Sequence, residues 1–194
     1  MSKMIKHTLD FLISMFMLII LAPLFILIAL FISLEDKGPA FFKQARLGKN
    51  GQTFLMYKFR SMKVNAPDLR SEDGGTFNSD DDPRVTKVGS FLRKTSLDEL
   101  PQIINILKGE MSFIGPRPDL PDQIKLYHEE DKVRLTVRPG ITGYAQVVGR
   151  NSLGFRERFE YDIEYVNHYS LWFDFKILIQ TVMVVLKRDH VNRK

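Results

Sequence analysis

From Phe11 to Leu34 the chain contains no charged residue and is dominated by Leu, Ile, Phe and Met. Twenty-four helical residues extend about 36 Å, enough to cross a hydrocarbon core of about 30 Å. The stretch is too long for the h-region of a cleaved signal, and no small-x-small cleavage site follows it. Pro23, close to its middle, lacks an amide proton and pushes its ring into the preceding turn, which predicts a break at Ala22-Pro23. Lys3 and Lys6 precede the run, and Lys37, Lys43, Arg46 and Lys49 follow it. The positive-inside rule favours both flanks in the cytoplasm. A straight span cannot satisfy that, whereas a helix-break-helix hairpin that enters and leaves by one face can. The competing reading is a kinked transmembrane anchor, because proline is tolerated within spans; the flanking charges favour the hairpin.

The rest of the sequence reads as one α+β unit. The expected architecture is a Pro-broken re-entrant membrane hairpin over residues 1–37 and a small cytoplasmic catalytic domain with interfacial amphipathic helices over residues 38–194. Aromatic and apolar residues at Ala40–Phe42 and Gln52–Phe59 flank Gly48 and Asn50-Gly51, a hairpin signature. Residues 65–83 lose hydrophobicity and read as an exposed loop or lid. Leu100, Ile103, Ile104 and Leu107 recur at helical spacing, with Gly109 as the stop. Ile141 to Val148 reads as a strand, and Phe155 to Tyr169 as a helix with Phe155, Phe159, Ile163 and Val166 inward. Leu171-Trp172-Phe173-Asp174-Phe175 leads into an apolar stretch from Ile177 to Leu186, followed by Lys187 and Arg188; the stretch is too short to span, and its aromatic entry and basic exit suit a helix lying in a membrane interface. A buried core helix is the alternative there.

The 28 Lys and Arg exceed the 23 Asp and Glu, so the surface favours anionic partners such as nucleic acid, nucleotides or acidic lipid. Charge alone does not choose among them. The absence of cysteine excludes disulfides, a thiolate nucleophile and Cys-ligated zinc.

Ser96-Leu97-Asp98-Glu99 fits a capping box, with Ser96 as N-cap and Glu99 reaching back. In that reading the acids only complement a helix dipole. The same placement suits catalysis. A carboxylate near a helix N-terminus stays ionised, and an ionised Asp can attack phosphorus to give an acyl phosphate. Cations must then offset the charge of the phosphate, and Lys58, Arg60, Arg93, Arg117, Arg138 and Arg150 are the candidates. Arg117 stands out because Pro116 and Pro118 restrict its backbone. His7, His128, His168 and His190 lack metal-ligand spacing, and Asp80-Asp81-Asp82 reads as a solvated acidic run. No Walker A and no G-x-G-x-x-G sequence is present, which excludes nucleotide binding by those devices.

Taken in order, these segments resemble the monotopic phosphoglycosyl transferases, or bacterial sugar transferases, in their minimal form, without the extra N-terminal membrane helices and domain of larger members. The likeness covers nearly the whole length: the Pro-broken hydrophobic segment, Gln44–Gly48, Tyr57–Met62, Asp82-Pro83-Arg84, Leu97–Gln102, Gly109–Pro118, Val137–Gly143 and Gly149-Arg150-Asn151. The resemblance implies transfer of a sugar 1-phosphate from a UDP-sugar to polyprenyl (undecaprenyl) phosphate at the cytoplasmic face of the bacterial inner membrane. UMP leaves, and the product begins a surface glycan. It further implies Asp98 as the nucleophile, Glu99 as its assistant and Mg2+ as cofactor, with Asp98 a candidate ligand. Arg117 and Arg150 match positions near the nucleotide, and Arg93 one near a lipid or substrate phosphate. The implied partners are the donor, the lipid acceptor and membrane lipid, with a homo-oligomer as a candidate assembly and no nucleic acid. Here Ala22-Pro23 stands where the family often has Ser-Pro, which weakens the expectation of a sharp bend. Two other classes stay open: a membrane-anchored nucleotide-sugar phosphodiesterase or hydrolase, and a non-enzymatic basic protein that recognises anionic lipid or nucleic acid.

Overall fold

A computed structural model describes residues 2–69, 82–149 and 153–186. Its architecture mixes helix and sheet, as the patterning requires. Helix α1 covers Ser2–Asp36 as a single element with Pro23 inside it. The expected helix-break-helix is therefore one helix. Proline removes only its own bond to the carbonyl four residues back, and the remaining ladder of a long apolar helix carries across that gap. The helix ends where Lys37 takes φ 47°, ahead of Gly38-Pro39.

One stripe of α1 faces the protein, and its character changes along the length. Lys6, Asp10 and Ser14 are buried in the first half, and Ile28 and Ile32 in the second. Between Leu9 and Phe31 the outward residues are all apolar: Phe16, Ile19 and Ile26 are 64%, 71% and 70% exposed. A helix with polar groups inside and hydrocarbon outside is inverted for water and correct for lipid.

Strands β1 (Phe41–Leu47) and β2 (Thr53–Phe59) form the expected antiparallel hairpin, paired from Phe41↔Phe59 to Leu47↔Thr53. Its turn uses Asn50 at φ 57° and Gly51 at φ 75°, the left-handed region those residue types tolerate. The outer edge of β2 would leave backbone groups unpaired. Helix α3 (Gln102–Leu107) supplies buried Asn105, whose Oδ1 accepts from the Tyr57 amide at 3.0 Å while Nδ2 donates to the Leu55 carbonyl at 2.8 Å. Gly109, at φ 77°, ends the segment as expected.

Helix α2 (Lys87–Thr95) starts at Thr86, whose hydroxyl accepts from the Gly89 amide. Glu35 of α1 also takes the Lys87 and Val88 amides, at 2.7 and 3.1 Å, completing the cap from another element. Ile28 and Ile32 of α1 join Phe59 and Leu92 in a core cluster against which Leu97 and Leu100 pack. This cluster fixes the 3-10 turn Leu97–Glu99 beside α1.

Strands β3 (Ser112–Ile114) and β4 (Gly140–Thr142) are parallel. They approach so closely that a Cβ on Gly140 would stand 2.1 Å from the Gly115 nitrogen. Beyond β4 the expected strand over 141–148 is only its first two residues. Gly143 extends the backbone and Tyr144–Val148 forms helix α4, because Tyr144 packs edge-on against Tyr161 and Phe173. Helix α5 (Phe155–Asn167) buries Phe159, Asp162 and Tyr165, with Phe155, Ile163 and Val166 half-buried. Helix α6 (Leu171–Leu186) buries Asp174 and Ile177 and exposes Trp172, Phe175, Leu178, Ile179, Val182 and Met183. With so much apolar surface exposed, α6 is not the buried core helix of the alternative reading.

Candidate active site

Alternation along β2 turns Phe59 into the core and Lys58 to the opposite face. Lys58 Nζ reaches Glu99 Oε1 at 2.9 Å, and Arg117 Nη2 reaches the same oxygen at 3.0 Å. The capping box is absent. Ser96 sits at φ 57° as the C-cap of α2 and makes no side-chain cap, and Glu99 faces the two cations instead of its own backbone. Two neighbouring cations outbid one amide for a carboxylate. Helix α3 begins only after Pro101, so the acids lie in the 3-10 turn before it.

The two carboxyls differ in electrostatics. Burial alone would raise the pKa of Glu99, but Lys58 and Arg117 overwhelm it and hold the group far below the usual range. Asp98 is pushed up, first by burial and then by the Glu99 charge, with Lys58, Arg93 and Arg117 pulling the other way. The sequence argument expected an ionised aspartate held by a helix end. The structure assigns the firmly anionic role to Glu99 and leaves Asp98 half-buried, without a hydrogen bond among the described residues. Lys58, Arg93 and Arg117 all act on its charge.

Arg93, on α2, donates Nε to Ser61 Oγ at 2.9 Å and adds its charge near Asp98. Arg60 is elsewhere. It is buried and donates to Asp36 at 2.6 Å and to the Pro39 carbonyl at 2.6 Å, tying down the end of α1. Arg138 lies beside Gly109 and near His7 and Tyr169, and is not among the charges acting on Asp98 or Glu99. Arg150, Asp80 and Asp81 fall outside the described residues, as does most of the 65–83 loop. Asp82 is buried in a two-pronged pair with Arg84, at 2.9 and 2.5 Å, which also grips the Pro67 carbonyl. It is a structural clamp. Ala22 and Pro23 lie within α1.

Sequence reasoning missed the support beneath Arg117. Buried Arg134 pairs with Asp119 at 2.5 Å and Asp162 at 2.7 Å, touches the Tyr127 hydroxyl, and donates to the Arg117 carbonyl at 2.8 Å. Its guanidinium also lies 4.4 Å from the centre of the Phe159 ring. Arg134 follows the charged run Glu129 to Lys132, and no motif or spacing marks it out there.

For a metal, the described residues gather no group of three His, Asp or Glu. Adjacent Asp98 and Glu99 nonetheless suit Mg2+, which commonly takes one or two carboxylates and completes its shell with substrate phosphate and water.

With this geometry in place, comparison with known proteins is direct. The profile of a family described as "Bacterial sugar transferase" matches residues 1–188. The Undecaprenyl-phosphate galactose phosphotransferase of Salmonella typhimurium is 42% identical over 199 aligned residues, 97% of this chain and 42% of that protein. The UDP-glucose:undecaprenyl-phosphate glucose-1-phosphate transferase of Escherichia coli is 42% identical, over 93% of this chain and 40% of its own length. The Exopolysaccharide production protein ExoY of Sinorhizobium fredii is 42% identical over 93% of this chain and 84% of its own. The chain thus spans about two fifths of the first two relatives and most of the third. A profile match from the first residue of α1 into the residues after α6 leaves one assignment: the chain belongs to the bacterial sugar transferase family.

Proposed function

We propose that this chain is a phosphoglycosyl transferase that moves a sugar 1-phosphate from a UDP-sugar to polyprenyl phosphate, with Asp98 as a covalent way station. The observation behind this reading is the Asp98 carboxylate, which makes no hydrogen bond among the described residues and is surrounded by Lys58, Arg93 and Arg117. The name of the Escherichia coli relative points to a UDP-sugar donor, and both its name and that of the Salmonella relative point to undecaprenyl phosphate as acceptor.

In the first step an Asp98 oxygen attacks the sugar-bearing phosphorus. The bond from that phosphorus to the UMP oxygen breaks, and UMP leaves with the electron pair. In the second step an oxygen of polyprenyl phosphate attacks the same phosphorus, the acyl-phosphate bond breaks, and Asp98 returns as a carboxylate. Lys58 and Arg117 are already neutralised in part by Glu99, which holds them in position for the donor's phosphates. Arg93 stands on the α2 side and adds the positive charge that an incoming second phosphate needs. Mg2+ bound by Asp98 and Glu99 would neutralise the diphosphate of the donor.

The inverted polarity of α1 supports insertion into lipid, and its end contacts support a re-entrant course. Lys6 pairs with Asp174 at one end, and Asp36 pairs with Arg60 at the other, so both ends hold to the same body. Both ends also carry the lysines that favour the cytoplasmic side. Labelling a Ser2→Cys variant of this cysteine-free chain with an impermeant maleimide tests it: modification only from the cytoplasmic side is expected, and modification from the outer side overturns it.

The catalytic reading is tested by intact-protein mass spectrometry after mixing with a UDP-sugar and no lipid acceptor. A phosphosugar adduct on Asp98 with one equivalent of UMP is expected. Asp98→Asn should form no adduct and lose turnover by roughly a thousandfold or more. Product formation by the variant at the parent rate, or steady UMP release without acceptor, would overturn the proposal in favour of another nucleophile or of hydrolysis.

A further inference from the structure

A second cationic cleft lies between the first turns of α1 and the segment that leads into β4. Its lining includes Lys6, His7, Lys49, Arg138, Tyr165 and Tyr169, with Lys3 at its edge. The Arg138 side chain makes no hydrogen bond or ion pair among the described residues, and neither does the Lys49 ammonium. The Tyr169 hydroxyl and His7 Nδ1 are buried polar atoms without a partner. Lys3 and Lys6 approach the Tyr169 ring, 5.8 and 5.9 Å from its centre.

The acidic groups nearby do not absorb this charge. Asp174 is taken up by Lys6 at 2.7 Å and the Tyr165 hydroxyl at 2.7 Å. Asp10 receives the Phe113 amide at 3.4 Å and stands 4.0 Å from His7, beyond hydrogen-bond reach. Neither carboxylate is paired with Lys3, Lys49 or Arg138 among the described residues. Gly109 keeps the place of the guanidinium open, since a Cβ there would come within 3.3 Å of Arg138 Nη2.

We propose that this cleft binds a phosphate-type anion, with Arg138 as the two-pronged donor, Lys49 as a second charge and the Tyr169 hydroxyl as a neutral donor. The favoured source is the phosphate of an acidic phospholipid. The Lys6–Asp174 pair ties the cleft to the first turn of α6, where Trp172 is 64% exposed and stacks on Phe175. Exposed tryptophan marks headgroup depth, where lipid phosphates lie. The apolar outer face of α1 would accept the acyl chains. The site does not depend on the transferase reading, because its lining includes none of Lys58, Arg93, Asp98, Glu99 and Arg117.

The test uses the full chain in zwitterionic micelles and follows thermal unfolding while phosphatidylglycerol, phosphatidylcholine or inorganic phosphate is added. Arg138→Gln, Lys49→Gln and Tyr169→Phe are compared with the parent, and Lys132→Gln, an exposed cation paired with Glu129, is the control. The parent should be stabilised saturably by phosphatidylglycerol and not by phosphatidylcholine. Arg138→Gln should shift the midpoint roughly tenfold or more, Lys49→Gln less, and the control not at all. Equal saturation by inorganic phosphate would support the site and assign it to free anions. Absence of saturable stabilisation, or an equal shift in the control, overturns the proposal. Should Arg138→Gln fail to fold, unshifted titrations of Lys49→Gln and Tyr169→Phe overturn it as well.

Discussion

Lys6 in α1 and Asp174 in α6 are separated by 168 positions in sequence and meet at 2.7 Å with both side chains buried. The Tyr165 hydroxyl occupies the other oxygen of Asp174 and also reaches the Ile114 carbonyl. The pair thereby joins the start of α1 to α6 and to β3. Its counterpart at the far end is Asp36–Arg60. Both ends of α1 are thus fastened to one body; under the proposed insertion, that would restrict the depth at which the Asp98 pocket lies.

Removing one member of a buried pair leaves an uncompensated charge, at a cost of about 3–5 kcal/mol. Lys6→Met and Asp174→Asn should each destabilise the chain in denaturant titrations and raise amide exchange over residues 3–14. The double variant Lys6→Met/Asp174→Leu should recover much of the loss, and additive losses would show that the pair does not couple α1 to α6.

Asp98 and Glu99 should have opposite effects on stability. With its folded pKa raised, Asp98 binds more protons in the fold than in the unfolded chain, so its contribution falls as pH climbs from the ordinary aspartate range through the raised value. Glu99, with its folded pKa depressed, contributes stability above the ordinary glutamate range and loses it as pH drops toward the folded value. At neutral pH, Asp98→Asn should stabilise the fold by about 0.5–2 kcal/mol, and Glu99→Gln should cost ~2 kcal/mol by stranding Lys58 and Arg117. The gap between parent and Asp98→Asn should close as the pH falls below the aspartate range, measured by denaturant midpoints across pH.

Much of this was legible because it is local. Asn50-Gly51 named its own turn, Gly109 its own helix end, and the alternation in Gln52–Phe59 its strand. The failures are places where a distant group outcompetes a neighbour. Ser96 and Glu99 spell a capping box, yet Lys58, 41 positions away, takes the carboxylate. Residues 144–148 carry a strand-like composition, yet packing of Tyr144 on Phe173 and Tyr161 makes them helical. Arg60 and Arg138 stood beside Arg117 among the candidate cations, with only its flanking prolines setting Arg117 apart. Only the fold sends one to Asp36, another to Gly109 and the third to Glu99.

Asn105 substitutes for a neighbouring strand at the edge of β2. Asn105→Ala would leave the Tyr57 amide and the Leu55 carbonyl without partners, a loss of about 2–4 kcal/mol. Because Lys58 directly follows Tyr57, the lysine should lose its alignment to Glu99. A fall in kcat larger than any rise in donor KM is expected, while a purely thermal effect with kinetics intact would separate Asn105 from the pocket.

Arg134 should matter to catalysis without touching substrate. It bears on the site only through its bond to the Arg117 carbonyl, reinforced by Asp119, Asp162 and Tyr127. Arg134→Ala strands two buried carboxylates and should cost about 3–5 kcal/mol, enough to impair folding. Arg134→Lys keeps the charge but loses the planar fork, so the chain should fold while the Pro-Arg-Pro loop loosens. In that variant Arg117 meets Glu99 less often, weakening its hold on the donor's phosphates. The expected signature is a raised KM for the UDP-sugar, roughly tenfold, with the KM for polyprenyl phosphate much less changed. Arg117→Ala should show the same bias, and adding Arg134→Lys to it should have little further effect on donor KM. Independent, additive effects of the two substitutions would mean that Arg134 supports the fold and has no part in aiming Arg117.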